Sequence, residues 1–202
     1  MMFIEPQPEP INFNKEVREK GIKFLAKHPR PKSWKNYEYW RKSIPNMYIV
    51  YKGICAYSME WIPDSLTDPT IDHFQAKSKR PELAYEWSNF RLACNRFNRL
   101  KLNYEDVLDP FQIGCEWFWM HFPSLQLLPN KNLNDRDKDK ILSTIRRLNL
   151  NGTQSIRSRS RWIYNLRDNH ISFDFVKENA PFIAHELERQ EMLNKLTVVM
   201  AK

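Results

Sequence analysis

Glycine is scarce in this chain, with four residues in 202, at positions 21, 53, 114 and 152. A phosphate-cradling glycine loop and a dinucleotide-binding fingerprint both need closely spaced glycines, so both are excluded. Cysteine is rarer still: Cys55, Cys94 and Cys115 complete the set. Three is few and odd, which argues against a disulfide framework and leaves packing or metal ligation as their use. No run of about 18 apolar residues occurs, so a membrane-spanning helix is not expected. The start, Met1-Met2-Phe3-Ile4-Glu5-Pro6, lacks the basic-then-apolar layout of a signal peptide. The expected setting is the cytoplasm. Acidic residues are outnumbered, 24 Asp and Glu against 32 Lys and Arg, which leaves a formal charge of +8 and favours polyanionic partners. Nucleic acid is the leading candidate, ahead of an anionic membrane surface. A hydrophobic content of 42% and an aromatic content of 13% supply enough material for a core, so disorder is not the default.

Proline and periodicity divide the chain. Pro6, Pro8 and Pro10 make the first ten residues an extended arm. Val17, Gly21, Phe24 and Leu25 recur at near-helical spacing and predict a helix over about Asn14 to Lys27, stopped by Pro29 and Pro31. Tyr, Ile and Val around Gly53 predict a strand or hairpin within Met47 to Trp61, followed by a polar loop from Pro63 to Pro69. Ile141, Leu142, Ile145 and Leu148 predict a helix from Asn134 onward, with Asp135, Asp137 and Asp139 near its positive end and Arg146 and Arg147 near its negative end. A last helix is predicted from about Pro181 to Val199, burying Ile183, Leu187, Met192 and Leu196.

The chemistry is concentrated between Ile71 and Asn103. An Asp-His pair at the end of a strand divides labour: the Asp72 carboxylate suits a hard cation, and the His73 imidazole suits taking a proton from water. Asn98, on a helix predicted from about Asn89 to Leu100, offers an amide oxygen as a second ligand. One carboxylate, one amide and several waters make a magnesium or manganese shell. Asn89 is placed to hydrogen-bond the His73 backbone or ring and fix its orientation, or to cap the helix. Arg91, Arg96, Arg99 and Lys101 offer phosphate contacts, or simply a solvated helix face.

At these residues the sequence resembles the HNH nuclease family, whose ββα-metal fold sets a hairpin and a helix around one divalent cation. Its order of Asp-His, a later Asn, a Cys-x-x-Cys turn, then Asn or His and a basic residue is partly matched by Asp72-His73, Asn89, Cys94, Asn98 and Lys101. More narrowly, it is similar to the branch that includes the nuclease subunit of Septu-type antiphage systems, which works beside an ATPase. The resemblance covers roughly Lys52 to Asn103. Many members bind a structural zinc through two Cys-x-x-Cys pairs; here these read Cys55-Ala56-Tyr57-Ser58 and Cys94-Asn95-Arg96-Phe97. Two thiolates do not close a tetrahedral zinc site, so no structural zinc is expected, and Phe97 is expected to pack where a thiolate would sit.

The resemblance implies an α+β protein with a ββα-metal HNH core at 51–105, an N-terminal arm and helical segment at 1–50, and a mainly helical region at 106–202. It implies a metal-dependent endonuclease, with DNA as the favoured substrate and a role in antiphage defence beside an ATPase partner. In that scheme His73 is the general base with Asn89 in support, and Asp72 and Asn98 hold magnesium or manganese. The rival is a catalytically inactive HNH-like module that binds nucleic acid or a partner. Two other stretches carry open readings. The arginines of Ile156-Arg157-Ser158-Arg159-Ser160-Arg161 share one face only if the backbone is extended. Trp117, Phe118 and Trp119 beside Cys115 suit a buried cluster better than base stacking.

Overall fold

The computed structural model describes residues 1–63, 69–114 and 116–196. Cys115, most of the Pro63 to Pro69 loop and the end of the predicted last helix, including Val199, lie outside the described residues. The protein is mixed helix and strand, of the α+β kind. Among the described residues no helix is long and apolar enough to cross a membrane. The chain forms two compact units: residues 5–56 with 62–105, and residues 1–4 and 57–61 with 106 onward.

In the first unit, a π turn over Asn14–Arg18 runs into helix α1 (Glu19–Lys27), which buries Val17, Gly21 and Phe24 as their spacing predicts. Gly21 is required by close approach, because a Cβ there would stand 2.1 Å from the Tyr85 ring. The predicted strand within Met47 to Trp61 is not formed where its β-branched residues lie: Ile44–Val50 is helix α2, with Pro45 in its first turn and Met47 fully buried. Packing of Met47 overrides the strand preference of Ile49 and Val50, both exposed. Gly53 ends the segment at φ 68°, its N–H donating to the Tyr48 carbonyl at 2.7 Å.

Strand β1 (Pro69–His73) pairs antiparallel with β2 (Phe90–Cys94), so that Asp72 faces Arg91 and His73 faces Phe90. Residues Asn89 to Cys94, expected as the first half of a helix, are thus a turn and a strand. Helix α3 starts only at Asn95 and runs to Lys101. The Phe90-Arg91-Leu92-Ala93-Cys94 segment finds its hydrogen-bond partners across the ladder, and α2 and α3 cover the two strands.

In the second unit, β3 (Phe118–His121) and β4 (Gln126–Pro129) form an antiparallel hairpin. Of that aromatic run Phe118 is buried and Trp117 and Trp119 are half-buried, the Arg189 guanidinium lying 4.2 Å over the Trp119 ring; Met120 beside them is buried. Helix α4 (Asp135–Arg147) starts where the sequence predicts, with an acidic first turn, and is capped by Asn134, whose side chain accepts from the Asp137 N–H. Helix α5 (Thr153–Arg167) takes in the Arg-Ser repeat. A helical backbone separates the three arginines: Arg157 and Arg161 are exposed, whereas Arg159 is buried with Nη2 donating to the Leu150 carbonyl. Helices α6 (Phe173–Asn179) and α7 (Pro181–Arg189) follow, α7 ending earlier than its apolar pattern suggests.

Candidate active site

The first unit holds a cleft of about 1140 Å³ whose walls include Trp40, Asp72, His73, Lys77, Asn98 and Arg99. The adjacent Asp72 and His73 meet Asn98, which lies further along the chain, because β1 ends in the Asp-His pair and α3 packs its Asn98–Lys101 face against that strand.

His73 is buried, at 6% exposure. Its Nε2–H donates to the Ala84 carbonyl at 2.9 Å, and since a carbonyl only accepts, the neutral ring carries its proton on Nε2. Nδ1 is then the basic nitrogen. The ring sits edge-on to Trp40, centroids 4.8 Å apart, and to Phe90 at 5.3 Å. Burial, aided by the Lys77 and Lys101 charges, pushes its pKa down to about 3, so the imidazole is neutral near pH 7.

Asn98 presents a defined atom. Its Nδ2 donates to Thr70 Oγ1 at 3.0 Å and to the Ile71 carbonyl at 3.1 Å, and only the amide nitrogen can serve a carbonyl. Oδ1 is therefore the end left for a ligand. Asp72, 2% exposed, pairs with Lys101 Nζ at 3.2 Å. The carboxylate and the Asn98 amide oxygen are hard donors of the kind magnesium and manganese take, and with only two protein oxygens such an ion keeps several waters. Among the described residues, no group of three or more His, Cys, Asp or Glu converges on a common point.

Several expected contacts fall elsewhere. Asn89 does not bond the His73 ring. Its Oδ1 accepts from the Gln75 N–H at 2.7 Å, and its Nδ2 donates to the Gln75 and Leu83 carbonyls, both at 3.0 Å. It clamps the loop whose next residue, Ala84, orients His73, so it is a positioning residue with no group for chemistry. Lys101 is fully buried: its ammonium also donates to the His73 and Phe74 carbonyls at 3.0 and 2.9 Å, which removes it from any phosphate-binding surface. Arg91 is likewise interior, its Nη1 donating to the Ser88 and Phe90 carbonyls, both at 2.8 Å. Arg96 is half-buried with its guanidinium 4.7 Å over the Phe97 ring. Only Arg99, of the four cations, is exposed on the cleft wall.

Cys55 and Cys94 come together. The Cys94 N–H donates to Cys55 Sγ at 3.4 Å, and contact with the Cys55 thiol, with burial, pushes the Cys94 thiol pKa up. Phe97 is buried on the first turn of α3.

Sequence reasoning missed Trp40, Lys77 and the Ala84 carbonyl. Lys77 stands in the basic run Lys77-Ser78-Lys79-Arg80 and looks like its neighbours; what sets it apart is burial, which lowers its pKa against the opposing pull of Asp72. No protein-family model matches this chain, and no curated protein matches it.

Proposed function

We propose that the protein is a metal-dependent nuclease of the HNH type that hydrolyses nucleic-acid phosphodiester bonds, DNA in the first instance. The observation that carries this is the meeting of Asp72, a neutral His73 with its basic Nδ1, and the Asn98 amide oxygen in one cleft. The β1–β2–α3 order supports it, since a ββα-metal core needs a hairpin followed by a helix. Asp72 and Asn98 would hold the divalent cation, which when bound supplies charge stabilisation for the phosphate and the departing oxygen. His73 takes the proton of an attacking water on Nδ1 as the water oxygen bonds to phosphorus and the bond to the leaving oxygen breaks. The Ala84 carbonyl holds the ring in the tautomer this requires, and Asn89 holds the loop that carries Ala84.

The test is plasmid cleavage by the purified chain in magnesium or manganese, with His73→Ala and EDTA as controls. The expected result is nicking that both controls abolish, the His73→Ala rate falling at least about 100-fold, the scale of a lost general base. Nicking that survives in His73→Ala overturns the assignment. A second reading, an inactive nucleic-acid or partner-binding module, is favoured by one observation, the buried Asp72–Lys101 pair, which gives Asp72 a structural use. Calorimetry separates the two, because the module has no need to bind the cation. The similarity to Septu-type nucleases extends the proposal to antiphage defence beside an ATPase, for which co-purification with such a partner is the check.

A further inference from the structure

The cleft carries a surplus of positive charge. Lys32, Arg41, Lys77 and Arg99 line it against two carboxylates, Glu38 and Asp72. Both carboxylates already have cations: Glu38 pairs with Arg41 at 3.3 Å and Asp72 with Lys101 at 3.2 Å. Lys77 is half-buried and makes no ion pair among the described residues. Its nearest ring is Trp40, 5.1 Å from the ammonium. Asp72 and Glu38 attract it from beyond ion-pair distance, but burial outweighs them, so an anion in direct contact would complete a partly desolvated ammonium.

Its position indicates which anion. A second hollow of about 520 Å³ shares Pro31, Lys77 and Ser78 with the first and adds Arg30, Lys79 and Glu82, the last already paired with Arg80, so Lys77 stands where the two join. A single small anion fills neither. A polymer of phosphates can run through both, with one phosphate at Lys77 beside His73.

We propose that Lys77 is a phosphate-binding residue of this cleft, its ammonium taking a non-bridging oxygen of a nucleic-acid phosphodiester. This rests on reading the cleft as a nucleic-acid site, and it assigns a contact to a residue outside the Asp72, His73 and Asn98 set.

The experiment measures binding apart from hydrolysis. Fluorescein-labelled single-stranded and duplex DNA oligonucleotides are titrated with the full chain in calcium, followed by anisotropy over a series of salt concentrations. Wild type is compared with Lys77→Ala, Lys77→Arg and, as a charge control that lines neither hollow, the exposed Arg136→Ala, all with matching circular dichroism. Lys77→Ala is expected to weaken binding about 10- to 100-fold, as for a lost charge-assisted hydrogen bond. It should also lower the slope of log affinity against log salt by about 0.7 to 0.9. Lys77→Arg should retain most of the affinity and Arg136→Ala nearly all of it. Lys77→Ala binding like wild type overturns the proposal, as does a loss matched by Arg136→Ala or a wild type that binds neither oligonucleotide. The two readings fail separately: a wild type that binds through Lys77 but never cleaves counts against hydrolysis alone. One that cleaves with or without Lys77 leaves hydrolysis standing and removes the Lys77 contact.

Discussion

His73 is an imidazole that the fold keeps neutral, and stability must reflect this. Its pKa is about 3 in the folded protein and about 6.5 in an unfolded chain, so between these values the unfolded chain binds more protons. Stability therefore rises with pH across the window: the His73 contribution is complete above about 6.5 and lost as pH falls toward 3. In EDTA, wild type is expected to lose up to about 1.4 kcal/mol per pH unit more than His73→Gln over that range, read from denaturant midpoints. Equal slopes overturn the assignment. Lys101 shows a related economy: one ammonium pairs with Asp72 and ties down the two carbonyls that follow it, which links α3 to the end of β1.

At the scale of elements, one side-chain amide ties together both ends of the segment between β1 and β2. Asn89 bonds Gln75 twice and Leu83 once, which fixes the Ala84 carbonyl against His73. Asn89→Ala is expected to destabilise the protein by about 1–3 kcal/mol and to slow any cleavage while leaving cation binding intact, checked by urea melts and calorimetry. A variant that loses cation binding without loss of stability contradicts this role. Helices α1 and α4 were legible because their apolar spacing, proline stop and acidic first turn act within a few residues. Helix α2 and strand β2 were not, because Met47 and Phe90 take their conformation from partners distant in sequence. The site divides the same way. Asp72, His73 and Asn98 are visible as residue types at a spacing, whereas Lys77 and Lys101 look alike in sequence and differ only in what surrounds them.

At the scale of the molecule, the chain order and the two units do not coincide. Residues 57–61 belong with the part that begins at Asp106. Trp61 N–H donates to the Asn179 carbonyl at 2.7 Å, Trp162 Nε1 donates to the Glu60 carboxylate at 3.3 Å, and Ser158 donates to that same carboxylate. Tyr57 and Met59 are buried there. A chain cut after Glu105 keeps every residue of the cleft-bearing unit but uncovers Tyr57 and Met59. Such a fragment is expected to bind a hydrophobic dye and to associate at concentrations where the whole chain does not, measured by dye fluorescence and sedimentation. A fragment that stays monomeric and dye-free would remove the need for that cover.

Residues 57–61 also bear on the order of events on the ribosome. Once Glu105 has emerged, the cleft-bearing unit has all its residues. Residues 57–61 must still wait for Ser158, Trp162 and Asn179, several seconds at translation rates of about 5–20 residues per second. The nascent chain thus carries its candidate active site toward completion while Tyr57 and Met59 remain open to chaperones.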